Sequence, residues 1–485
     1  MQVLRGRRWP DGAAVECEVA DGVILHLREL APDPSLPWIL PGFIDNHCHI
    51  LPTGLDMQKV PLGDLDTPEA ILDRLRDRLT RVEPGSWLLA VHYDQTKFPT
   101  GAHLTRAELD LISPTVPILL RHVNGHASIA NSAALQLADV APDQPDPKGG
   151  SYGRDESGIV NGVLFEEAHE RVTACVPNPT VREMTDAILA AAHSMAGYGI
   201  RTATDMMTGR YNLLDELMAY RMASEEGSPV RFRMYVQWKT MFGPRAIDMA
   251  RIQEQISSMN PARCRVAGVK IFADGAIGSR TAAIYGQYEG DAGEGDAGQL
   301  IYSAEKLTDM ITTAAAAGYQ LAVHTIGNRS TDLVMDAYAQ TSNPSRHRIE
   351  HAMLLSDSQI ERIHRLGCPV TMQPEFLYRF GHSYQRNLGP ERSFSLKRMR
   401  SLSEAGIPLS LSSDRPIVSG DPAIGIRSAT GRPEGFDPGE NLTLEQAFRG
   451  YTTLAAAANE DFGWASLARL SLADPVLWDV LPWES

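Results

Sequence analysis

From residue 180 onward, the sequence alternates between short apolar runs and longer stretches with helical periodicity. The apolar runs are 200–205, 230–238, 266–272, 320–324, 347–351, 369–372 and 407–411. Helical stretches, among them 185–195, 304–316, 330–339, 356–366 and 396–405, separate these runs. Strands that alternate with helices predict parallel β/α units. A further strand at Phe43 brings the number to eight, which predicts an α/β fold closed as a (β/α)₈ barrel.

The two ends of the chain have a different pattern. Short runs at 3–4, 15–19 and 23–27 alternate apolar and polar residues, and Gly and Pro punctuate them. This pattern is typical of antiparallel strands. Another strand-like run covers 473–481 near the C-terminus. Because chain termini often lie close together, we expect residues 1–40 and about 464–485 to form one small β-sandwich domain, with the barrel at 41–463.

Residues from about 60 to 165 form an insertion after the first barrel strand, and we expect it to shape the substrate pocket. Helical periodicity covers 68–82, and strand candidates cover 87–92 and 118–123. The stretch 127–137 is predicted to be a helix. Residues 141–158 are rich in Pro, Gly and Asp and are predicted to form a loop.

Composition limits the classes of partner. The formal net charge of -15 argues against nucleic acid, whose binding requires a basic stripe. The five cysteines include no Cys-x-x-Cys pair, which suits a reducing compartment. The N-terminus lacks the apolar segment of a signal peptide, and no apolar run reaches membrane-spanning length. These features predict a cytoplasmic protein with no membrane partner.

A His-x-His motif follows the first predicted barrel strand. The run is Pro41-Gly42-Phe43-Ile44-Asp45-Asn46-His47-Cys48-His49. Residues i and i+2 of a strand share a face, so both imidazoles can contact one metal ion while Cys48 faces away. Histidine is a common ligand for zinc and related metals. The motif alone is also compatible with two unrelated surface histidines.

Further metal-competent residues stand at the ends of other predicted strands. Lys270 ends the fourth strand, His324 the fifth, His351 the sixth and Asp414 the eighth. The active site of a (β/α)₈ barrel lies at the C-terminal ends of its strands. This coincidence favours a metal centre over scattered structural residues.

The order His-x-His, Lys, His, His, Asp on successive strands resembles the amidohydrolase superfamily. Within it, the chain resembles amidohydrolase family 3, which includes N-substituted formamide deformylases. The resemblance covers nearly the whole chain. The motifs that carry it are the 41–45 lead-in, Asn124-Gly125-His126-Ala127 with 131–135, the Gly-rich run 274–282, and 442–447 before Tyr451-Thr452.

The resemblance implies a set of metal ligands. His47, His49 and Asp414 are expected to hold the more buried metal, and His324 and His351 a second one. Lys270 is expected to bridge the two as a carbamate, because a plain ammonium has no lone pair to donate. An uncarboxylated Lys270 would leave a site for one ion. The cofactor is therefore one or two divalent ions, with zinc favoured.

The resemblance also implies a reaction. The metal is expected to lower the pKa of bound water from about 15.7 to about 7. Asp414 would accept a proton from that water and deliver it to the leaving nitrogen. The metal, or a donor such as His126, would polarise the substrate carbonyl and stabilise the oxyanion. The predicted reaction is hydrolysis of an amide-like C–N bond, in an amide, formamide or carbamate of a small organic molecule.

Several residues are candidates for substrate contact or for support of the pocket. Arg280 follows a Gly-rich turn, and Glu375 follows the seventh strand. Arg415 stands where the family more often has a small residue, so it could narrow the pocket or pair with an acidic substrate. The remaining candidates lie in the insertion: Asp94, Gln95 and Glu166. The resemblance also suggests a homodimer.

Two alternatives to an amide hydrolase stay open from the sequence. The same metal scaffold could support a lyase, for example a decarboxylase. A non-catalytic regulatory relative is the other alternative, although no predicted ligand is missing from this chain.

Overall fold

The computed structural model describes residues 1–83, 85–123, 125–290 and 296–484. The chain separates into two compact units. One comprises Met1–Thr53 and Met184–Ser485, and the other is Gly54–Glu183. The insertion predicted at 60–165 falls inside the second unit. Asn124 of the Asn-Gly-His-Ala motif lies outside the described residues.

An eight-stranded parallel sheet forms the (β/α)₈ barrel of the first unit. This confirms the predicted fold class. In barrel order the strands are Phe43–Cys48, Ile200–Thr208, Arg231–Gln237, Cys264–Phe272, Gln320–Thr325, Arg348–His351, Val370–Met372 and Leu409–Leu411.

Hydrogen bonds near the strand ends join the first barrel strand to the eighth. Asp414 N donates to the carbonyl of His47 over 2.7 Å. Asn46 Nδ2 donates to Ser410 Oγ over 2.9 Å. These bonds bring the His-x-His motif beside the Asp that follows the eighth strand.

Helices follow and separate the barrel strands, as the helical periodicity predicts. The helix predicted at 304–316 has those bounds. The helix Phe376–Phe394 is interrupted at Gly389, where φ is 76°. The helices with residues in this unit are Ile50–Gln58, Val181–Gly197, Leu213–Glu225, Trp238–Met241, Met249–Ser257, Ala304–Ala316, Asn328–Tyr338, Asp357–Leu366, Phe376–Phe394, Met399–Glu404, Pro422–Thr430, Leu444–Gly450 and Thr453–Ala458, with 3₁₀ turns at Pro344–Arg346 and Pro438–Glu440.

Both termini contribute to one terminal sheet, as predicted. Among the described residues this part of the fold is a single five-stranded sheet. Val15, Cys17 and Val19 alternate with more polar neighbours and are buried with Ile24 and Ile39, as expected for a sheet with one covered face. In sheet order the strands are Val476–Trp478, Trp38–Leu40, Gln2–Arg8, Ala14–Ala20 and Val23–Glu29.

The second unit contains a six-stranded mixed sheet. Ile71 and Leu75 of one helix pack in its apolar core. The strands in sheet order are Gly150–Arg154, Val160–Glu166, Ala127–Ala130, Ile118–His122, Leu88–Tyr93 and Val60–Pro61. The helices are Pro68–Leu79, Arg106–Asp110, Ser132–Leu137 and Glu167–Thr173, with a 3₁₀ turn at Gln95–Lys97.

Two predictions in the insertion are wrong. The stretch 127–137 is not one helix, because Ala127–Ala130 is a strand that pairs antiparallel with strands on both sides. The helix begins only after Asn131, whose side chain accepts a hydrogen bond from Ala134 N and caps it. The predicted loop 141–158 contains the strand Gly150–Arg154, which the neighbouring strand Val160–Glu166 stabilises by antiparallel pairing.

Candidate metal centre

Three side chains at the ends of the first and eighth barrel strands converge. One ligand atom each from His47, His49 and Asp414 can be chosen so that all three atoms lie within 4.8 Å of one another, and all three residues are buried. Asp414 Oδ1 is 2.8 Å from His49 Nε2 and 3.5 Å from His47 Nε2. Asp414 has a left-handed backbone with φ 60°, which is uncommon for a residue other than glycine and is found where a site holds strain.

Two polar atoms in this cluster have no hydrogen-bond partner among the described residues. They are His49 Nδ1 and Asp414 Oδ1, and both are buried. Buried polar atoms normally have a partner, and an imidazole nitrogen and a carboxylate oxygen are both ligands for divalent metals. The residues present therefore fit a divalent cation.

The other three predicted ligands lie beside this cluster. Lys270 Nζ is 3.4 Å from His47 Nε2. The ring centroids of His47 and His351 are 4.7 Å apart, and those of His351 and His324 are 4.5 Å apart. The structure thus brings all six predicted ligands into one contiguous group.

In each of His47, His351 and His324, one ring nitrogen lies at hydrogen-bond distance from a protein oxygen, so the other ring nitrogen is left to bind a ligand. His47 Nδ1 is 2.6 Å from Glu350 Oε2. His351 Nδ1 is 2.7 Å from Gln373 Oε1, and His324 Nε2 is 2.9 Å from the carbonyl of Gly275. Such bonds fix the tautomer and the ring orientation of a ligating histidine.

Burial favours the neutral forms of three of the histidines and of Lys270. It lowers the pKa of His47, His351 and His324, and nearby charged side chains modify this effect. Neutral imidazole is the form that binds metal. Burial also lowers the pKa of Lys270 to about 8, although Glu350 and Asp414 act in the opposite direction.

Glu350 and Arg348 support the centre, and the sequence prediction did not identify them. Arg348 is fully buried. Its Nε donates to Glu350 Oε1 over 2.8 Å, and its guanidinium also bonds to the Asn46 carbonyl and to Thr371. The sequence signal that could have identified them is the i, i+2 spacing of Arg348 and Glu350 on one short strand. Two charged residues on one strand are unusual in a parallel sheet, because both faces of such a sheet are covered.

Asp274 anchors the loop after the fourth strand. Its carboxylate accepts hydrogen bonds from Ile326 N, Gly327 N, Ala283 N and Ser330 Oγ over 2.7–3.0 Å. Asp274 Oδ1 is also 3.7 Å from His324 Nε2. Asp274, which begins one of the motifs that carry the family resemblance, therefore has a structural role: it anchors the backbone next to His324.

Three candidate substrate residues in the barrel unit make contacts of their own. Arg280 Nε donates to Asn387 Oδ1 over 3.3 Å. Glu375 accepts a hydrogen bond from Ser419 Oγ over 3.4 Å. Arg415 Nη2 donates to Ser194 Oγ over 3.0 Å, on the helix Val181–Gly197. Their predicted roles toward a substrate stay predictions.

The other candidates belong to the unit Gly54–Glu183. His126 Nδ1 is 3.2 Å from Glu166 Oε2, and both side chains are exposed. Asp94 accepts hydrogen bonds from the backbone and hydroxyl of Thr96, and Gln95 Oε1 is 2.8 Å from His122 Nε2. Their substrate roles, including the donor role of His126, also stay predictions.

A protein-family model described as the amidohydrolase family matches residues 38–461. The chain belongs to the amidohydrolase family. This confirms the resemblance inferred from the motifs. Family membership supports hydrolytic activity, and together with the His47–His49–Asp414 cluster it supports a divalent metal cofactor.

Individual relatives match most of the chain. N-substituted formamide deformylase of Arthrobacter pascens is 28% identical over 448 residues, which cover 88% of this chain and 80% of that protein. The protein LONG AFTER FAR-RED 3 of Arabidopsis thaliana is 30% identical over 466 residues, 92% of this chain and 78% of that protein.

One crystal structure, of a metal-dependent hydrolase from Pyrococcus furiosus, superposes with a TM-score of 0.79. It shares 24% sequence identity and covers 97% of this chain and 95% of its own. At this level of identity the likeness concerns the fold.

Within 1–83, 85–123, 125–290 and 296–484, no helix is both long and apolar enough to cross a membrane.

Proposed function

We propose that this protein hydrolyses an amide-like C–N bond, in an amide, formamide or carbamate of a small organic molecule. The observation that carries the proposal is the Asp414 carboxylate, whose buried Oδ1 lies beside the imidazoles of His47 and His49 and has no hydrogen-bond partner in the part of the chain that the structure describes. The relative named N-substituted formamide deformylase supports the choice of bond.

In this proposal His47, His49, Lys270, His324, His351 and Asp414 hold one or two divalent ions, with zinc favoured. When bound, such a cation supplies the Lewis acidity that activates water and polarises a carbonyl group. Glu350 and Gln373 keep the His47 and His351 rings oriented through their Nδ1 atoms.

Asp414 moves the proton. Its Oδ1 accepts a proton from the attacking water and then delivers it to the leaving nitrogen. The bond from Asp414 N to the His47 carbonyl positions the carboxylate, whose Oδ1 lies 2.8 Å from His49 Nε2 and 3.5 Å from His47 Nε2. Its burial limits exchange of that proton with bulk solvent.

Lys270 is suited to carboxylation. The amine must be neutral to attack carbon dioxide, and its pKa of about 8 leaves more neutral amine at physiological pH than an ordinary lysine has. The nitrogen forms a bond to the carbon of carbon dioxide and loses a proton. The product is a carbamate whose oxygens can bind metal.

The test is a screen of small amides, formamides and carbamates for amine release, with Asp414→Asn as the decisive variant. We expect Asp414→Asn to lower kcat by about 100- to 10,000-fold while the protein keeps much of its metal. Asp309→Asn, a change at an exposed residue, is the control. Unchanged turnover by Asp414→Asn would contradict the proton role.

The same screen separates the alternatives. Carbon dioxide release from carboxylic acids, without amine release from any amide, would favour a lyase. No turnover by metal-loaded protein would favour a non-catalytic relative. The cytoplasmic location and the homodimer stay predictions.

A further inference from the structure

Lys397 is a buried lysine whose amine has no hydrogen-bond partner in the described part of the chain. It lies between the helices Phe376–Phe394 and Met399–Glu404, and its exposed fraction is 0%. Its Nζ makes no hydrogen bond with any described residue. Because an unpaired buried ammonium is strongly unfavourable, such a group requires an explanation.

The backbone around Lys397 holds this side chain in place. Lys397 has a left-handed φ of 54°, an uncommon conformation that the surrounding structure must impose. Its N donates to the Met353 carbonyl over 2.8 Å, and its carbonyl accepts from Met399 N over 2.7 Å. Arg432 also donates to the carbonyls of Leu396 and Lys397. These bonds fix the backbone from which the side chain projects, and within the described ranges no salt bridge holds the amine.

Lys397 lies near the candidate metal centre. The Phe376 ring centroid is 5.0 Å from Lys397 Nζ and 6.5 Å from the His351 ring centroid. Burial lowers the pKa of Lys397 to about 7, the Arg432 charge also lowers it, and Asp414 raises it. The charge of Asp414, a residue of the candidate centre, therefore affects the pKa of Lys397, which agrees with this short separation.

The residues around Lys397 favour an anion as the partner of its amine. The adjacent residues Met353, Phe376 and Leu396 belong to one buried apolar cluster, so they provide no counter-charge. Arg432 adds a second cation, and its buried Nε also has no hydrogen-bond partner among the residues that the structure describes. A protonated lysine offers three N–H donors and accepts nothing. A neutral oxygen could accept from these donors, but only an anion would also balance the positive charge of the Lys397 ammonium and the Arg432 guanidinium.

We propose that Lys397 binds a carboxylate of the substrate, so that the amide hydrolysed at this centre carries a carboxylate in its acyl or amine part. This inference rests on the proposed hydrolysis of a C–N bond. It adds a substrate class and a specificity residue to that function.

The first experiment compares pairs of amides of equal chain length, one with a terminal carboxylate and one with a methyl group in its place. The readout is the ratio of kcat/KM between the two members of a pair. We expect wild type to prefer the carboxylate and Lys397→Met to lower the ratio by about 10- to 100-fold, as for loss of a hydrogen bond to a charged group.

The matched control is Lys306→Met, which changes a lysine paired with Asp309 at the surface and should leave the ratio unchanged. An unchanged ratio in Lys397→Met would overturn the inference. If Lys397→Met loses activity equally toward both amides of a pair, the ratio is also unchanged. That result would indicate that Lys397 acts on the oxyanion instead of on a substrate carboxylate.

A binding measurement is independent of turnover. Glutarate, which contains no amide bond, is titrated into the metal-loaded protein by calorimetry. We expect Lys397→Met to weaken glutarate binding by about tenfold or more, and equal affinity would overturn the inference. If wild type hydrolyses no amide, the proposed function fails, while this titration still tests Lys397.

Thermal stability separates a binding role from a structural one. Removal of a buried ammonium that has no hydrogen bond should raise Tm, because the cost of burying the charge exceeds the cation–π contact with the Phe376 ring that is lost. A lower Tm would indicate a structural role and contradict the inference. Lys397→Gln is the second variant should Lys397→Met fail to fold.

Discussion

Glu350 Oε2 lies 2.6 Å from His47 Nδ1, and both side chains are almost completely buried. The other carboxylate oxygen accepts a hydrogen bond from Arg348 Nε over 2.8 Å. A carboxylate in this position fixes the tautomer of the imidazole and increases its basicity toward a metal. The buried Arg348 in turn balances the charge of Glu350.

We predict that Glu350→Gln weakens metal binding by about 10- to 100-fold, because a neutral amide orients His47 less strongly. The variant should also unfold more easily, since Arg348 keeps a buried charge without its partner. Competition with a chelator measures the first effect and urea denaturation the second. Glu361→Gln, at an exposed glutamate, is the control, and unchanged metal affinity in Glu350→Gln would contradict the prediction.

Asp274 is the subject of a second prediction, which concerns stability. Asp274→Ala removes the acceptor of four hydrogen bonds that hold the segments around Ala283 and Ile326. Unpaired buried donors should lower the free energy of unfolding by about 3 kcal/mol or more. Urea denaturation tests this, with Asp332→Ala at a less buried site as the control. A loss below about 1 kcal/mol would argue against the anchoring role.

Much of the barrel and of the candidate centre could be predicted because both follow from local pattern. Many of the barrel strands contain a short apolar run, and in several the run is followed by a polar residue such as His324 or Asp414. Since the ends of parallel strands meet on one side of a barrel, sequence order was sufficient to bring distant residues together.

Features that depend on tertiary contacts were not accessible in this way. Ala127–Ala130 has a helix-forming composition, but it is a strand because neighbours on both sides pair with it. Glu350 is one residue before a predicted ligand, yet its role depends on contact with His47 across the barrel. Lys397 falls within the helix predicted at 396–405, but the observed helix begins only at Met399. The ring over its amine belongs to Phe376, at the start of a long helix that the sequence prediction did not include.

His347 carries a prediction about pH. Burial and the Arg346 charge lower its pKa from 6.5 to about 4, although Glu460 raises it. Its Nδ1 accepts a hydrogen bond from Leu321 N over 3.2 Å, which requires a neutral ring. Because folding favours the neutral form, this stabilisation is present above pH 6.5 and is lost as the pH falls toward about 4.

We therefore expect the stability difference between wild type and His347→Asn to shrink by up to about 3 kcal/mol between pH 6.5 and 4. Urea denaturation at several pH values measures it, and His364→Asn, at an exposed histidine, should not reproduce the effect. A difference that does not change with pH would mean that His347 does not titrate on unfolding in this range.

The chemical state of Lys270 can be tested by rescue. Lys270 is buried, and its Nζ is 3.4 Å from His47 Nε2. If Lys270 acts as a carbamate, Lys270→Ala should lower activity by at least about 100-fold, because removal of a group that supports a metal site lowers metal affinity or activity on that scale. Propionate should then restore part of the activity, because it supplies a carboxylate at the place of the lost side chain. Propylamine, which supplies an ammonium of similar size, should not. Rescue by propylamine alone would show that the amine itself is required and would favour a site for a single ion.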